Sequence, residues 1–346
     1  MSHKFKYKWY LKDGYPATDI EKNNFNVFGT FICGGGSTMG YKLAGFNHLG
    51  GVEIDKKVAD IYKLNHNPKY LFNEDIREFN KRNDLPKELF NLDILDGSPP
   101  CSTFSMAGSR ENAWGKSKQF REGQAKQTLD DLVFVYCDTI IKLQPKVFIL
   151  ENVKGIIQGN AKVYSKNTVE KMTKAGYVVQ VFLLNAASMG VPQKRERVFF
   201  IGYKKDLNFP KLKLEFNEKP ILFCEIQEKN NINDLTDRQF YLWQNRIKTD
   251  KSNGDTVMRL EKRLSGFTNP ILHSDEVCPT INSQGGSFML YDLPRQINDN
   301  ECCQCGSYPI DYNFKDLKAR YLIGMSVPPV MTAQISHQIY LQWLNN

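Results

Sequence analysis

The stretch that most limits the fold is KVFILEN, residues 146–152. Four consecutive apolar side chains point alternately to both sides of a strand, so both faces must be covered. That is the situation of a central strand in a parallel sheet, and a parallel sheet needs crossover helices. The chain supplies them. FNVFGTF (25–31), LGGVEID (49–55), LFNEDI (71–76) and NLDILDG (91–97) read as strands, and STMGYKLAGF (37–46) and KKVADIYKLN (56–65) as helices. Leu129, Leu132, Val133, Tyr136, Cys137, Ile140 and Ile141 recur at helical spacing. A helix over 161–175, a strand over 177–184 and the strand RVFFIGY (197–203) follow. The alternation predicts an α/β fold, a Rossmann-like doubly wound and mostly parallel sheet.

Regularity ends near Lys204, where the chain turns polar and rich in Lys, Asn and Asp. The expected organisation is a sheet domain over 1–203, with an extension at 1–24, and a second, smaller domain over 204–270. A closing segment, 271–346, ends in a helix that returns to the sheet domain. The 346 residues allow two domains. No apolar run approaches the length of a membrane span, and the first residues lack the apolar core of a signal peptide. Eight cysteines in a chain this long do not suggest a secreted disulfide scaffold, so free thiols and a cytoplasmic protein are expected. A net charge of +8 permits nucleic acid as a partner without requiring it.

Four motifs carry chemistry. FICGGGSTMG (31–40) puts glycines between a strand and a helix, where backbone can approach a ligand closely. Glu53 ends the next strand, about twenty residues on, as suits a group that bonds ribose hydroxyls, and Asp75 ends a third. Together they suggest an adenosine-bearing ligand, either NAD or S-adenosylmethionine (AdoMet). The second motif is Pro99-Pro100-Cys101, where two fixed φ angles aim a thiol from the carboxyl end of a strand. The run after it has the composition of a lid, with Gly108, Gly115 and Gly123 as hinges and Arg110, Lys116, Lys118 and Arg121 to meet phosphates. Glu151-Asn152-Val153 offers a carboxyl group at a strand end. Gln193-Lys194-Arg195-Glu196-Arg197 places two arginines at i, i+2 on extended chain.

In this order the motifs resemble the C5-cytosine DNA methyltransferase family, bacterial or phage type. FICGGGSTMG, PPCSTFS, ENVKG, QKRER, EVCPTI and YLIGMSVPP match its motifs and span residues 27–346. The resemblance implies an AdoMet-dependent methyltransferase sheet with a target-recognition domain. It implies that Cys101 attacks C6 of a flipped-out cytosine in duplex DNA and that Glu151 holds N3 and N4. Arg197 and Arg195 would contact the base or hold Cys101 and its loop. AdoMet would be bound by Phe31, Gly34, Gly35, Gly36, Glu53, Asp75, Ile76, Pro100, Leu132 and Ser326. Three residues depart from the family pattern: Cys33 replaces the first loop glycine, Ser102 a glutamine and Met325 an asparagine.

The recognition segment 204–270 contains Arg238, Trp243, Asn245, Arg246, Lys248, Arg259 and Arg263, candidates for base edges and phosphates. Cys302, Cys303 and Cys305 lie too close together for a zinc site, so no metal is expected. The expected partners are double-stranded DNA and a cognate restriction endonuclease, with the enzyme itself a monomer. The same chemistry on RNA, a non-catalytic DNA-binding relative and a nicotinamide oxidoreductase are the alternatives.

Overall fold

The computed structural model describes residues 4–15, 20–100, 131–229, 234–266, 268–283 and 286–345. The elements, in order, are β1 (Asn26–Thr30), α1 (Gly36–Leu43), β2 (Asn47–Val52), α2 (Lys56–His66), β3 (Tyr70–Phe72), α3 (Ile76–Lys81) and β4 (Ile94–Gly97). Then come α4 (Leu132–Leu143), β5 (Val147–Val153), α5 (Lys162–Lys174), β6 (Tyr177–Asn185) and β7 (Glu196–Lys204). The remainder holds α6 (Asp237–Gln244), α7 (Asn253–Glu261), β8 (Ile271–Leu272), β9 (Met289–Leu290), α8 (Asp299–Cys305), α9 (Ala319–Met325) and α10 (Pro329–Ile339).

Seven strands form one sheet in the order β3-β2-β1-β4-β5-β7-β6. The first five are parallel, and β7 runs antiparallel between β5 and β6. An apolar run carries no direction, so the reversal is invisible in RVFFIGY. Its cause is the link: residues 186–195 are too few for a crossover helix. Strand order reverses between β1 and β4, and in such sheets ligands bind outside the carboxyl ends at that point.

One face of the sheet packs against α1, α2 and α10 through residues such as Met39, Tyr41, Ile61 and Ala333. The other packs against α3, α4 and α5 through Phe79, Ile140 and Met172. Phe148 and Ile149, neighbours in β5, fall in opposite clusters, and both are buried. The apolar run of KVFILEN has this cause. The returning helix α10 lies on α1 so closely that a Cβ on Gly40 would sit 2.4 Å from Thr332 Cβ and 2.5 Å from the Pro329 carbonyl. The N-terminal extension is also anchored. Phe5 and Trp9 are buried, and Trp9 Nε1 donates to the Ser307 carbonyl at 2.9 Å.

Within 205–226, Leu212, Ile221, Phe223 and Ile226 join the core of the sheet domain, and Trp343 Nε1 donates to the Pro210 carbonyl at 2.8 Å. Residues 237–290 carry α6, α7 and the parallel pair β8·β9, whose Leu272 and Leu290 belong to the same core. Thr236 and Ser252 cap α6 and α7 in capping boxes. A buried Arg295–Glu301 pair at 2.7 Å ties this unit to α8.

Candidate functional site

The turn after β1 is strained and tightly held. Phe31 and Cys33 have φ of 54° and 47°, a region that side chains avoid, and Gly35 has φ of 77°. A Cβ on Gly35 would fall 2.2 Å from His66 Nε2, and one on Gly36 2.3 Å from the Val327 carbonyl. The Gly34 carbonyl accepts from Tyr312 Oη at 2.6 Å and from His66 Nε2 at 3.2 Å. Burial keeps His66 neutral, with its pKa down at about 3, so the ring can donate one proton here. His66, Tyr308 and Tyr312 were not legible as site residues, because each belongs to the site only through tertiary packing. Cys33, in the place of a loop glycine, donates its N–H to Glu53 Oε2 at 3.0 Å. Burial pushes its thiol up to about 12, and Glu53 adds to this.

Glu53 follows β2 directly. Its Oε1 accepts from the Asp55 N–H at 2.9 Å, and the Ile54 N–H also bonds the carboxylate. Burial raises its pKa to about 7. Asp75 does not end a strand. β3 stops at Phe72, and Asp75 is the N-cap of α3, accepting from the Arg77 N–H at 2.8 Å with the Arg77 guanidinium at 3.3 Å. Asp ahead of a helix start satisfies an orphan donor there, and that preference wins over strand extension. Ile76 and Leu132 are buried in one cluster, with Phe31 packed against it. Pro100 is half-buried at the end of the β4 stalk. Ser326 accepts from Tyr308 Oη at 2.6 Å.

A row of polar groups crosses the ends of the central strands. Val153 of β5 pairs with Arg197 of β7, which makes Glu151 the diagonal neighbour of Arg197 on the same face. Arg197 Nε lies 2.9 Å from Glu151 Oε1, both mostly buried. Asn152, facing the other way, donates to the Pro99 carbonyl at 3.3 Å. Thus ENV grips the step before the thiol. Asn152→Ala is expected to cost about 1 kcal/mol of stability and to lower kcat several-fold with AdoMet affinity unchanged, as turnover and calorimetry would register. Arg195 has another role from Arg197. It is buried and donates to the carbonyls of Ile281 (3.3 Å), Gly324 (3.0 Å) and Ser326 (2.8 Å). It therefore clasps the two closing motifs, with its buried Nε left without a hydrogen-bond partner among the described residues. Cys101, Ser102, Arg110, Lys116, Lys118, Arg121 and the rest of the expected lid lie outside the described residues.

A profile of the C-5 cytosine-specific DNA methylase family matches residues 25–341. The chain belongs to that family. The Type II methyltransferase M.FnuDI of Fusobacterium nucleatum is 28% identical over 342 residues, which cover 89% of this chain and 92% of that protein. M.Sau96I of Staphylococcus aureus is 34% identical over 203 residues, 58% of this chain and 44% of the relative's length. Among solved structures, a putative DNA modification methyltransferase from an Escherichia coli prophage matches with a TM-score of 0.66 at 21% identity, covering 93% of this chain and all of that one. Spodoptera frugiperda DNMT2 matches at 0.64 and 16%, covering 92% and 100%. These two show the same fold. This DNA methylase is an enzyme that methylates cytosine at C5 and takes the methyl group from AdoMet.

The residues present fit that cofactor. Gly35 and Gly36 have no room for a side chain against His66 and Val327, so the turn stays narrow at the strand ends, and the buried Glu53 carboxylate, held by three backbone N–H groups, is placed to meet ribose hydroxyls. The methylase's proposed DNA readers divide. Arg246 is sandwiched at 3.7 Å from the Trp243 ring centre and 4.6 Å from that of Tyr291, and donates to the Tyr291 carbonyl at 2.7 Å. Arg259 pairs with the buried Asp250 at 2.9 Å. These two hold the small unit together. Arg238 and Arg263 both pair with Glu261, and Lys248 reaches Asp275 only at 3.8 Å, with both side chains exposed. Cys302, Cys303 and Cys305 are buried in or beside α8, their thiols pushed up by burial. Among the described residues no cluster has the makings of a metal site, and no helix is long and apolar enough to cross a membrane.

Proposed function

We infer that the enzyme works through a covalent adduct between Cys101 and a cytosine lifted out of duplex DNA. The Cys101 thiolate forms an Sγ–C6 bond, and the electron pair of the C5–C6 double bond shifts to C5. Glu151 donates a hydrogen bond to ring N3 and accepts from the exocyclic amine, offsetting charge that builds on the ring. Arg197 fixes that carboxyl group. AdoMet supplies the electrophilic methyl group. Once C5 is methylated, its proton leaves to a base, the Sγ–C6 bond breaks and the thiolate returns. Extruding the base takes a few kcal/mol, and the loop after Cys101 is proposed to cover it.

The observation that carries this reading is the Glu151–Arg197 pair at 2.9 Å beside the Pro99 step held by Asn152. Glu53, the 34–36 turn and Ser326 are proposed to hold AdoMet, with Asp75 and Ile76 at the adenine edge and Phe31, Pro100 and Leu132 as walls. The small unit is proposed to read a specific duplex sequence through Arg238, Lys248 and Arg263. A bacterial or phage-infected cytoplasm, a companion restriction endonuclease of the same site and action as a monomer complete the proposal.

The test is a duplex library carrying 5-fluorocytosine, incubated with the enzyme and tritiated AdoMet. Fluorine at C5 blocks the final elimination, so a labelled adduct should survive a denaturing gel and map by peptide mass to Cys101. Sequencing the trapped duplexes would give the site. AdoMet bound with no adduct on any duplex would overturn the covalent route.

A further inference from the structure

The turn after α7 carries a side chain that the packing does not use. Leu264 is 83% exposed, more than any other large apolar residue among those described. A single exposed leucine is ordinary on a protein surface. The setting of this one is not. Lys262, the C-cap of α7, takes φ of 57° and turns the chain out of the helix. Arg263 follows, mostly exposed, and pairs with Glu261 at 2.8 Å. Arg238 of α6 pairs with the same carboxylate and lies 5.5 Å from the Tyr241 ring centre. One carboxylate thus holds two guanidinium groups, both still open to solvent, within three residues of a bare apolar tip.

Two contacts join this turn to the strand-end row. At one end, Asn269 Nδ2 donates to the Ser287 carbonyl at 2.9 Å. At the other, Arg195, two residues before Arg197, donates to the Ile281 carbonyl at 3.3 Å. Six residues of chain reach at most about 22 Å, well inside the roughly 34 Å of one turn of duplex. A duplex that meets the α6–α7 segment and also delivers a base to Glu151 need span no more than such a turn.

We propose that Leu264 is a wedge, which enters the groove of the bound duplex and presses between stacked base pairs while the arginines beside it hold the DNA. Cations draw the anionic duplex to the tip. An apolar side chain gains nothing from phosphate, but it leaves water when it enters a base stack. Extruding the target cytosine breaks its stacking, and an apolar body in the opened stack recovers part of that loss. The inference rests on the proposed function in one respect, that the α6–α7 segment is the part that meets DNA.

The experiment separates the two. Methyl transfer is measured on the duplex recovered by the 5-fluorocytosine trap, resynthesised with cytosine in two forms. One form is fully paired, and the other has an abasic site opposite the target. Leu264→Ala should lower kcat/KM about ten-fold on the paired form and stay within about two-fold of wild type on the abasic form, where the base is already cheap to extrude. Leu264→Phe keeps an apolar body and should retain activity on the paired form. Val163→Ala, at another exposed apolar residue, on α5, should change neither. An exposed side chain can be replaced without loss of the fold. Equal losses on the two forms would make Leu264 a plain binding contact and overturn the wedge, as would no loss on either. Arg263→Ala tells which idea has failed: weakened DNA binding leaves the segment facing DNA and only the wedge wrong, whereas unchanged binding removes the segment from the DNA interface altogether.

Discussion

Cys101→Ala is expected to leave essentially no methyl transfer, a fall on the scale of ~10⁶-fold seen when a nucleophile that acts as a unit with its partners is removed. Glu151→Gln should fall by about 10²–10⁴-fold. Both variants should bind AdoMet as wild type does, because neither residue belongs to the glycine turn or its clamps. Tritium transfer to DNA and calorimetry with AdoMet check the two halves. The thiols elsewhere offer no substitute. Cys33, Cys137 and Cys303 are pushed up to about 12 by burial, so almost no thiolate exists at neutral pH. Cys224 is the exposed thiol among the described residues, but it lies in the 205–226 stretch, bonded by its N–H to Ser274. Activity retained in Cys101→Ala would refute the covalent reading outright.

The second large effect is expected at Arg195. Its guanidinium satisfies carbonyls from Ile281, Gly324 and Ser326, segments that meet nowhere near it in sequence. Arg195→Met fills similar volume and removes a buried charge, but leaves three carbonyls without donors. Each unsatisfied group costs about 1–3 kcal/mol, partly offset by the charge no longer desolvated, so a net loss of roughly 3 kcal/mol is expected. Because Ser326 and Val327 wall the glycine turn, AdoMet affinity should fall with stability. Arg195→Lys should not rescue, since one ammonium cannot span a fork of carbonyls. Thermal melts with and without AdoMet test both points. A variant that melts like wild type and binds AdoMet normally would show that the clasp is unnecessary.

The parts of the molecule written in local pattern were legible. The alternation of strands and helices, the burial of KVFILEN on both faces and the place of Glu53 at the end of β2 follow from periodicity and strand length. Glu151 at the end of β5 and Arg197 at the start of β7 stand where their motifs placed them on extended chain. What depends on direction or distant packing was not legible. An apolar run does not say that β7 is antiparallel, and NEDIREF could be read as strand because a capping Asp and a strand-end Asp look alike. That Trp243, Tyr291 and Asp250 surround Arg246 and Arg259 is likewise not written in the sequence.

The glycine turn is braced by residues nearly the whole chain apart. Tyr312 bonds the Gly34 carbonyl, Trp9 bonds Ser307, and α10 lies along α1. A ribosome that has delivered residues up to 300 has therefore made every strand of the main sheet, yet none of Tyr308, Tyr312, Ser326 or α10. On such a nascent chain the turn has no clamp from the closing segments and α1 has one side bare. Cofactor capture is thus deferred until the final stretch has emerged and folded back. Competence to bind AdoMet is therefore expected to wait until residues 308–339 have packed against the glycine turn and α1.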